Sequence, residues 1–356
     1  MLHRPGLLSF GNAIPGSELG DTVRAHWSAW FMAAELPAWP FSSRLAGFPH
    51  GVELIPLPPI SLALVAPVTA VAGASMGLVA LLIFHTILCV LAGSFLARTL
   101  GAQWGPALGS GIVLATTPIL GESLRAGIFE YQTIGWMALM MGALVRACQG
   151  HWKWGFVAGV LYLVTLLECG YYGSAAALAA PVVVIATIRS HKGARAACVA
   201  ATTVGIGAWF CLVGFSSILS RLRSHMQNSP EAGAGLLSGD ELLAALPFVG
   251  WEDPYNGMIQ PYYASPSLLL WLGATIGLVI AFRKTWWLGL LSILFLLLAL
   301  GSPVMSWWST SELGRHVGMP KRYVAPLAVP LCALAAIGTS LVLTRWKSGR
   351  WIQSGG

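Results

Sequence analysis

The chain has 356 residues, of which 56% are hydrophobic and only 9% charged, and its mean hydropathy is +0.73. So little polar surface excludes a soluble globule and leaves an all-α polytopic membrane protein. The formal charge of +7 does not mark a nucleic-acid binder, because the basic residues lie in short turns between apolar runs and not in a stripe interleaved with aromatics.

In chain order, residues 1–56 read as a loop rich in Pro, Gly and aromatics that carries surface helices. Within it, Trp27, Trp30 and Phe31, with Ala34 a turn on, predict an amphipathic interfacial helix whose aromatic face meets the membrane surface, while Arg24, Ser28 and Glu35 point elsewhere. Asp21 stands just before that helix, at the end that favours negative charge. Residues 57–74 are apolar but broken by Pro58, Pro59 and Pro67, which predicts a re-entrant or interfacial segment and not a clean span. Nine segments of near-spanning length follow, near 76–98, 105–121, 131–149, 154–170, 172–189, 196–218, 263–282, 285–303 and 323–344. The chain therefore divides into a first loop (1–56), a transmembrane helical domain (57–344) and a tail (345–356).

Charge sets the orientation. Arg98, Arg146, Lys153, Arg189, Lys192, Arg195, Arg283, Lys284, Arg345, Lys347 and Arg350 fall in alternate turns or the tail, which makes that side cytoplasmic. The thirteen carboxylates fall on or near the opposite side, in or beside outer loops at 1–56, 122–131, 219–262 and 304–322. Acid-dependent or metal-dependent chemistry then belongs to the outer face. No spanning segment precedes Asp21, so the reading frame is expected to begin downstream of a lost first helix.

The six cysteines form no CxxC and have no His partner at ligand spacing, so they read as small buried apolar groups. His85 is the titratable group nearest the middle of a span; a neutral imidazole bonded to a neighbouring helix and a proton relay both fit. Gly73/Gly77, Gly105/Gly109 and Gly273/Gly277 have the spacing of close helix contacts. No signal peptide, Walker loop, dinucleotide fingerprint, HExxH or GxSxG is present.

The order Gly20-Asp21, His26-Trp-Ser-Ala-Trp-Phe31, Pro40-Phe41 and Phe48-Pro-His-Gly51 resembles the first outer loop of GT-C superfamily membrane glycosyltransferases. It is most similar to bacterial relatives of the polyprenol-phosphate-dependent sugar transferases. The resemblance continues in Glu168-Cys-Gly-Tyr-Tyr172, Pro261-Tyr-Tyr263 and Gly318-Met-Pro-Lys-Arg-Tyr323. It departs where the family has a helix before the acidic loop, and where some members pair two acids there; Asp21 has only Glu18 nearby.

The resemblance implies transfer of a sugar from a polyprenyl-phosphate-linked donor to a glycan, lipid or protein acceptor on the outer face of a bacterial inner membrane. Such transfer needs a base for the acceptor hydroxyl and a cationic clamp for the leaving phosphate. Asp21 is the candidate base, or the ligand of a divalent cation, Mg or Mn. Glu122 and Glu130 match where GT-C enzymes carry a second acid. Arg315, His316, Lys321 and Arg322 suit a phosphate, and Arg24, His26, Trp27, Tyr131, Tyr171 and Tyr172 complete the substrate-binding set.

Each has a structural counterpart. Asp21 fits a helix N-cap, Glu122 and Glu130 fit solvated loop acids, and the 315–322 cluster fits an anchor for anionic headgroups. The aromatics fit an interface belt. A non-catalytic GT-C-like subunit of a membrane complex, or a lipid-linked sugar transporter or flippase, is the alternative function. An ion-coupled transporter would place carboxylates at the midplane or show related halves, and neither is visible.

Overall fold

The computed structural model describes residues 21–35, 42–43, 52–53, 58–125, 128–188, 190–214, 268–300 and 323–347, with isolated positions at 303 and 307. These residues form a helical bundle: α1 (Asp21–Glu35), α2 (Pro59–Ala72), α3 (Ala74–Thr99), α4 (Trp104–Ala115), α5 (Pro118–Arg125), a 3-10 turn (Phe129–Thr133), α6 (Ile134–Cys148), α7 (Trp152–Glu168), α8 (Gly170–Thr187), α9 (His191–Gly214), α10 (Leu268–Ile280), α11 (Phe282–Ala299) and α12 (Val324–Lys347). Between α1 and α2, the two-residue strands β1 (Ser42–Ser43) and β2 (Val52–Glu53) pair antiparallel.

Among the described residues, Ala74–Thr99, Gly170–Thr187, Phe282–Ala299 and Val324–Trp346 are long and apolar enough to cross a membrane. Shorter apolar helices lie at Pro59–Ala72, Trp104–Ala115 and Leu270–Ile280. With these spans the chain is an integral membrane protein.

Local chemistry sets the breaks. The proline-rich 57–74 stretch is one 14-residue helix. Pro59 sits in its first turn, where a missing N–H costs nothing, and Pro67 lies inside. At 1.5 Å per residue it rises about 21 Å, short of the ~30 Å apolar layer. It ends at Gly73, whose φ of 86° only glycine adopts readily, and α3 folds back so that a Cβ on Gly77 would strike Thr69. The expected span 105–121 is interrupted at Thr116–Thr117, and Pro118 opens the separate α5. The expected span 131–149 begins as the 3-10 turn.

The first amphipathic helix faces differently from the sequence expectation. Its buried side is Ala25, Ser28, Ala29, Phe31 and Met32, whereas Trp30 is 41% exposed. That side packs with Leu62 and Val65 of α2, Leu78, Leu81 and Leu82 of α3, Leu124 of α5 and Phe129. Small residues let this side of the helix approach its neighbours closely, and Trp30 is left on the open side.

The main core runs through α3, α6, α8, α11 and α12. Glycines set the closest crossings. A Cβ on Gly93 would lie 2.8 Å from the Gly111 Cα, and one on Gly338 would lie 2.7 Å from the Gly277 Cα. The Gly273/Gly277 pair is therefore a helix contact, as its spacing suggests. Gly105 and Gly109 meet nothing within 4 Å, and Gly111 makes the contact instead. Cys89, Cys148, Cys169 and Cys332 are buried as expected, while Cys198 is exposed. His85 is buried in α3, and among the described residues neither ring nitrogen has a hydrogen-bond partner, contrary to the expected interhelical bond. Its ring packs against Phe84 at 5.3 Å, 73° between planes.

The two ends of the bundle differ in sign. At one end Gln149 Nε2 donates to the Thr99 carbonyl at 3.5 Å, a Cβ on Gly150 would lie 3.6 Å from the Lys192 Cβ, and Gln103 Nε2 donates to Thr344 Oγ1 at 2.9 Å. These contacts draw together the turns that carry Arg98, Arg146, Lys192 and Arg345. Substituting Gly338 with Leu is expected to force α10 and α12 apart and to cost about 1–3 kcal/mol, as overpacking does. Gly109→Ala should cost nothing, and thermal unfolding in detergent compares the two.

Candidate functional site

The opposite end collects the acids. Glu168 closes α7, and the next residue, Cys169, is extended (φ −155°, ψ 110°) before α8 starts. The carboxylate is wholly buried, at 0% exposure. Its Oε1 accepts the N–H of Ile60 at 2.7 Å and the N–H of Ser61 at 2.9 Å, and Ser61 Oγ donates to Oε2. Trp136 Nε1 donates to Ser61 Oγ at 3.4 Å.

The sequence explains why this site forms. The first N–H groups of any helix lack internal acceptors, and the residue ahead of α2 is Pro58, which has no side chain able to cap them. Glu168 caps α2 from 107 residues away, with the helix dipole favouring its charge. Sequence reasoning placed Glu168 in a motif but gave it no role. The available signal was a carboxylate closing an apolar run, together with a proline-led helix lacking a cap.

Asp21 opens α1 and so lies in its first turn. The α1 residues Ala25, Ala29, Phe31 and Met32 share one buried cluster, through Leu62 and Val65 of α2 and Leu78, Leu81 and Leu82 of α3, with Leu124 of α5, the helix that carries Glu122, and Phe129 of the 3-10 turn that carries Glu130. Glu130 is half-buried, and its carbonyl accepts from Thr133 Oγ1 at 2.7 Å. Side chains of Asp21, Arg24 and Glu122 lie outside the described residues.

Trp27 is half-buried and stacks on Phe31, with ring centroids 5.1 Å apart. His26 is half-buried too, and its Nδ1 is buried without a partner among the described residues.

The tyrosines are turned inward. Tyr131 is 1% and Tyr172 0% exposed. Tyr172 Oη donates to the Tyr131 carbonyl at 2.7 Å, and their rings lie 6.1 Å apart. Tyr171 is half-buried, edge-on to Tyr131 at 6.2 Å. Of the three expected substrate-binding tyrosines, Tyr131 and Tyr172 are buried and Tyr171 is the partly open one. Tyr323, at the start of α12, lies 3.2 Å from Ser174 Oγ through its hydroxyl. Arg315, His316, Lys321 and Arg322 lie outside the described residues; Tyr323 follows them in the chain.

Three strands of the sequence argument therefore reach one end of the bundle: α1 with Asp21, the 3-10 turn with Glu130, and the residue next to Arg322. Among the described residues no three His, Cys, Asp or Glu side chains gather as a metal site would require.

No protein-family model matches the chain, and no curated protein matches it. Two solved structures are similar to it. One is the archaeal oligosaccharyltransferase AglB from Archaeoglobus fulgidus in complex with an inhibitory peptide and a dolichol-phosphate, with TM-score 0.46 and 12% identity. The other is the Archaeoglobus fulgidus oligosaccharyltransferase in the apo form, with TM-score 0.45 and 14% identity. Each overlap covers 96% of this chain and 48% of the other, so the chain spans about half the length of these structures. Both scores are below 0.5, and the reading of function rests on this chain's own residues.

Truncating Glu168 to Ala is expected to strand two buried N–H donors, at about 1–3 kcal/mol each. Glu168→Gln, which keeps an acceptor oxygen, should lose less. Denaturant titration in detergent would rank the two variants, and equal stability of both with the native chain would show that the tie is not needed.

Proposed function

We propose that the chain is an integral-membrane glycosyltransferase of GT-C type, moving a sugar from a polyprenyl-phosphate donor to an acceptor hydroxyl on the outer face of a bacterial inner membrane. The observation that carries this reading is the 3-10 turn that bears Glu130: Phe129 shares an apolar cluster with α1, and the Tyr131 carbonyl accepts from Tyr172 of α8, the helix whose Ser174 meets Tyr323 at the start of α12. The motif order of the sequence supports it. Nine spans, an outer first loop and a cytoplasmic tail from residue 345 complete the proposed topology, in keeping with cations retained on the inner side.

In the proposed reaction Asp21 accepts the proton of the acceptor hydroxyl. The freed oxygen forms a bond to the anomeric carbon as the bond from that carbon to the phosphate oxygen breaks. The electron pair leaves with the polyprenyl phosphate, whose charge Lys321 and Arg322, with Arg315 and His316, neutralise. Glu122 or Glu130 supplies the second acid of the site. Arg24, His26, Trp27 and Tyr171 line the sugar. A divalent cation, Mg or Mn, bound by Asp21 would neutralise phosphate charge in the same place; no step above is routed through it. The donor tail stays in lipid, which is why the site belongs at the level of the membrane surface and not in a water-filled domain.

Membranes holding the chain, given a polyprenyl-phosphate sugar labelled in the sugar, should transfer label to acceptor. Asp21→Asn should lower the rate by on the order of 10² or more, as loss of a general base does, while Gly109→Ala leaves it intact. Transfer that survives Asp21→Asn unchanged would remove Asp21 as the base, and no transfer above that of membranes lacking the chain would favour the non-catalytic subunit. Cysteine labelling of intact cells at positions 1–56 should succeed from outside, and labelling only after lysis would remove the outer site.

A further inference from the structure

At the basic end, remote from the acidic site, three turns enclose a cavity of about 220 Å³. Its walls are the α3–α4 turn (Gly101, Gln103), the start of α11 (Lys284, Thr285) and the last turns of α12 (Ser340, Thr344). The polar groups are already arranged. The Gln103 N–H donates to Ser340 Oγ at 2.9 Å, and its side-chain amide donates to Thr344 Oγ1 at 2.9 Å. Gly101 turns the chain at φ 95°, a conformation that keeps this corner free of a side chain.

None of the ten lining residues is acidic; the exposed Lys284 lines a cavity whose polar side is Gln103, Thr285, Ser340 and Thr344 and whose apolar side is Leu100, Ala281, Ile337 and Leu341. Nearby, Arg98 donates to the Ala102 carbonyl at 2.6 Å, and its guanidinium lies 4.6 Å over the Trp104 ring. Trp104 is 73% and Trp346 78% exposed, which puts this level at a membrane–water boundary, where exposed indoles are favoured.

We infer that this cavity binds the headgroup of an anionic glycerophospholipid, with the phosphate diester against Lys284 and the headgroup hydroxyls against Gln103, Ser340 and Thr344. Basic pockets between helices on the inner side of membrane proteins are suited to such headgroups. A zwitterionic choline headgroup carries no hydroxyl for the amide and hydroxyl wall, and its cation would be repelled by Lys284. The lipid ties together the α3–α4 turn, α11 and α12; the opposite end of α3 packs on α1 and that of α12 carries Tyr323. It needs no sugar transfer, so it stands or falls apart from the proposed enzyme.

Native mass spectrometry of the detergent-purified chain with added phosphatidylglycerol or phosphatidylcholine tests it. Phosphatidylglycerol should remain bound and raise the melting temperature, and phosphatidylcholine should do neither. Lys284→Gln should weaken phosphatidylglycerol binding about fivefold or more. Lys284→Arg should preserve it, as should Lys153→Gln, a charge loss at an exposed turn outside the cavity. Equal retention by the native chain and Lys284→Gln would overturn the site, as would equal loss in Lys153→Gln. Inorganic phosphate that stabilises the chain as much as the lipid does would overturn the lipid as occupant in favour of a free anion.

Discussion

A carboxylate removed from water must be given hydrogen-bond donors, and the start of a helix led by proline has donors with no acceptor. Glu168 and the first turn of α2 meet both needs at once, through the N–H groups of Ile60 and Ser61 and the Ser61 hydroxyl. In a low-dielectric interior neither group would be tolerated alone. This pairing fixes α2 against the junction of α7 and α8. Because α1 packs on α2 and α3, it also fixes where Asp21 is carried.

The rest of the bundle is arranged to let that end stay fixed. Small residues allow α3 to meet α4 at Gly93 and Gly111, and α10 to meet α12 at Gly277 and Gly338, without any apolar driving force between helices in lipid. Single-residue junctions at Gly73 and Cys169 reverse the chain without a loop, which keeps backbone polar groups paired close to the apolar layer. Tyr172 spends its hydroxyl on the Tyr131 carbonyl, and Tyr323 spends its own on Ser174, so the aromatic cluster is satisfied internally.

The acid and basic ends then take separate tasks. At one end a half-buried Glu130 and the helix of Asp21 lie around a shared apolar cluster. At the other, the exposed Lys284 lines a small cavity of mixed polar and apolar residues, and Trp104 and Trp346 are exposed.

The class of molecule and the approximate place of most helices were legible in the sequence, because solvation by lipid acts on composition and on each apolar run by itself. The resemblance that named Asp21 and Glu130 was legible in the same way, as an order of short motifs. Other features were decided only when distant elements met. Which face of α1 is buried depended on α2, α3 and α5; whether Gly109 or Gly111 touches a neighbour depended on the crossing of α3 and α4. That Tyr131 and Tyr172 are buried, and that Glu168 accepts the N–H of Ile60 in a helix 108 residues earlier, required the tertiary structure. Packing and hydrogen-bond satisfaction depend on which helix becomes the neighbour, and no local pattern of residues states that.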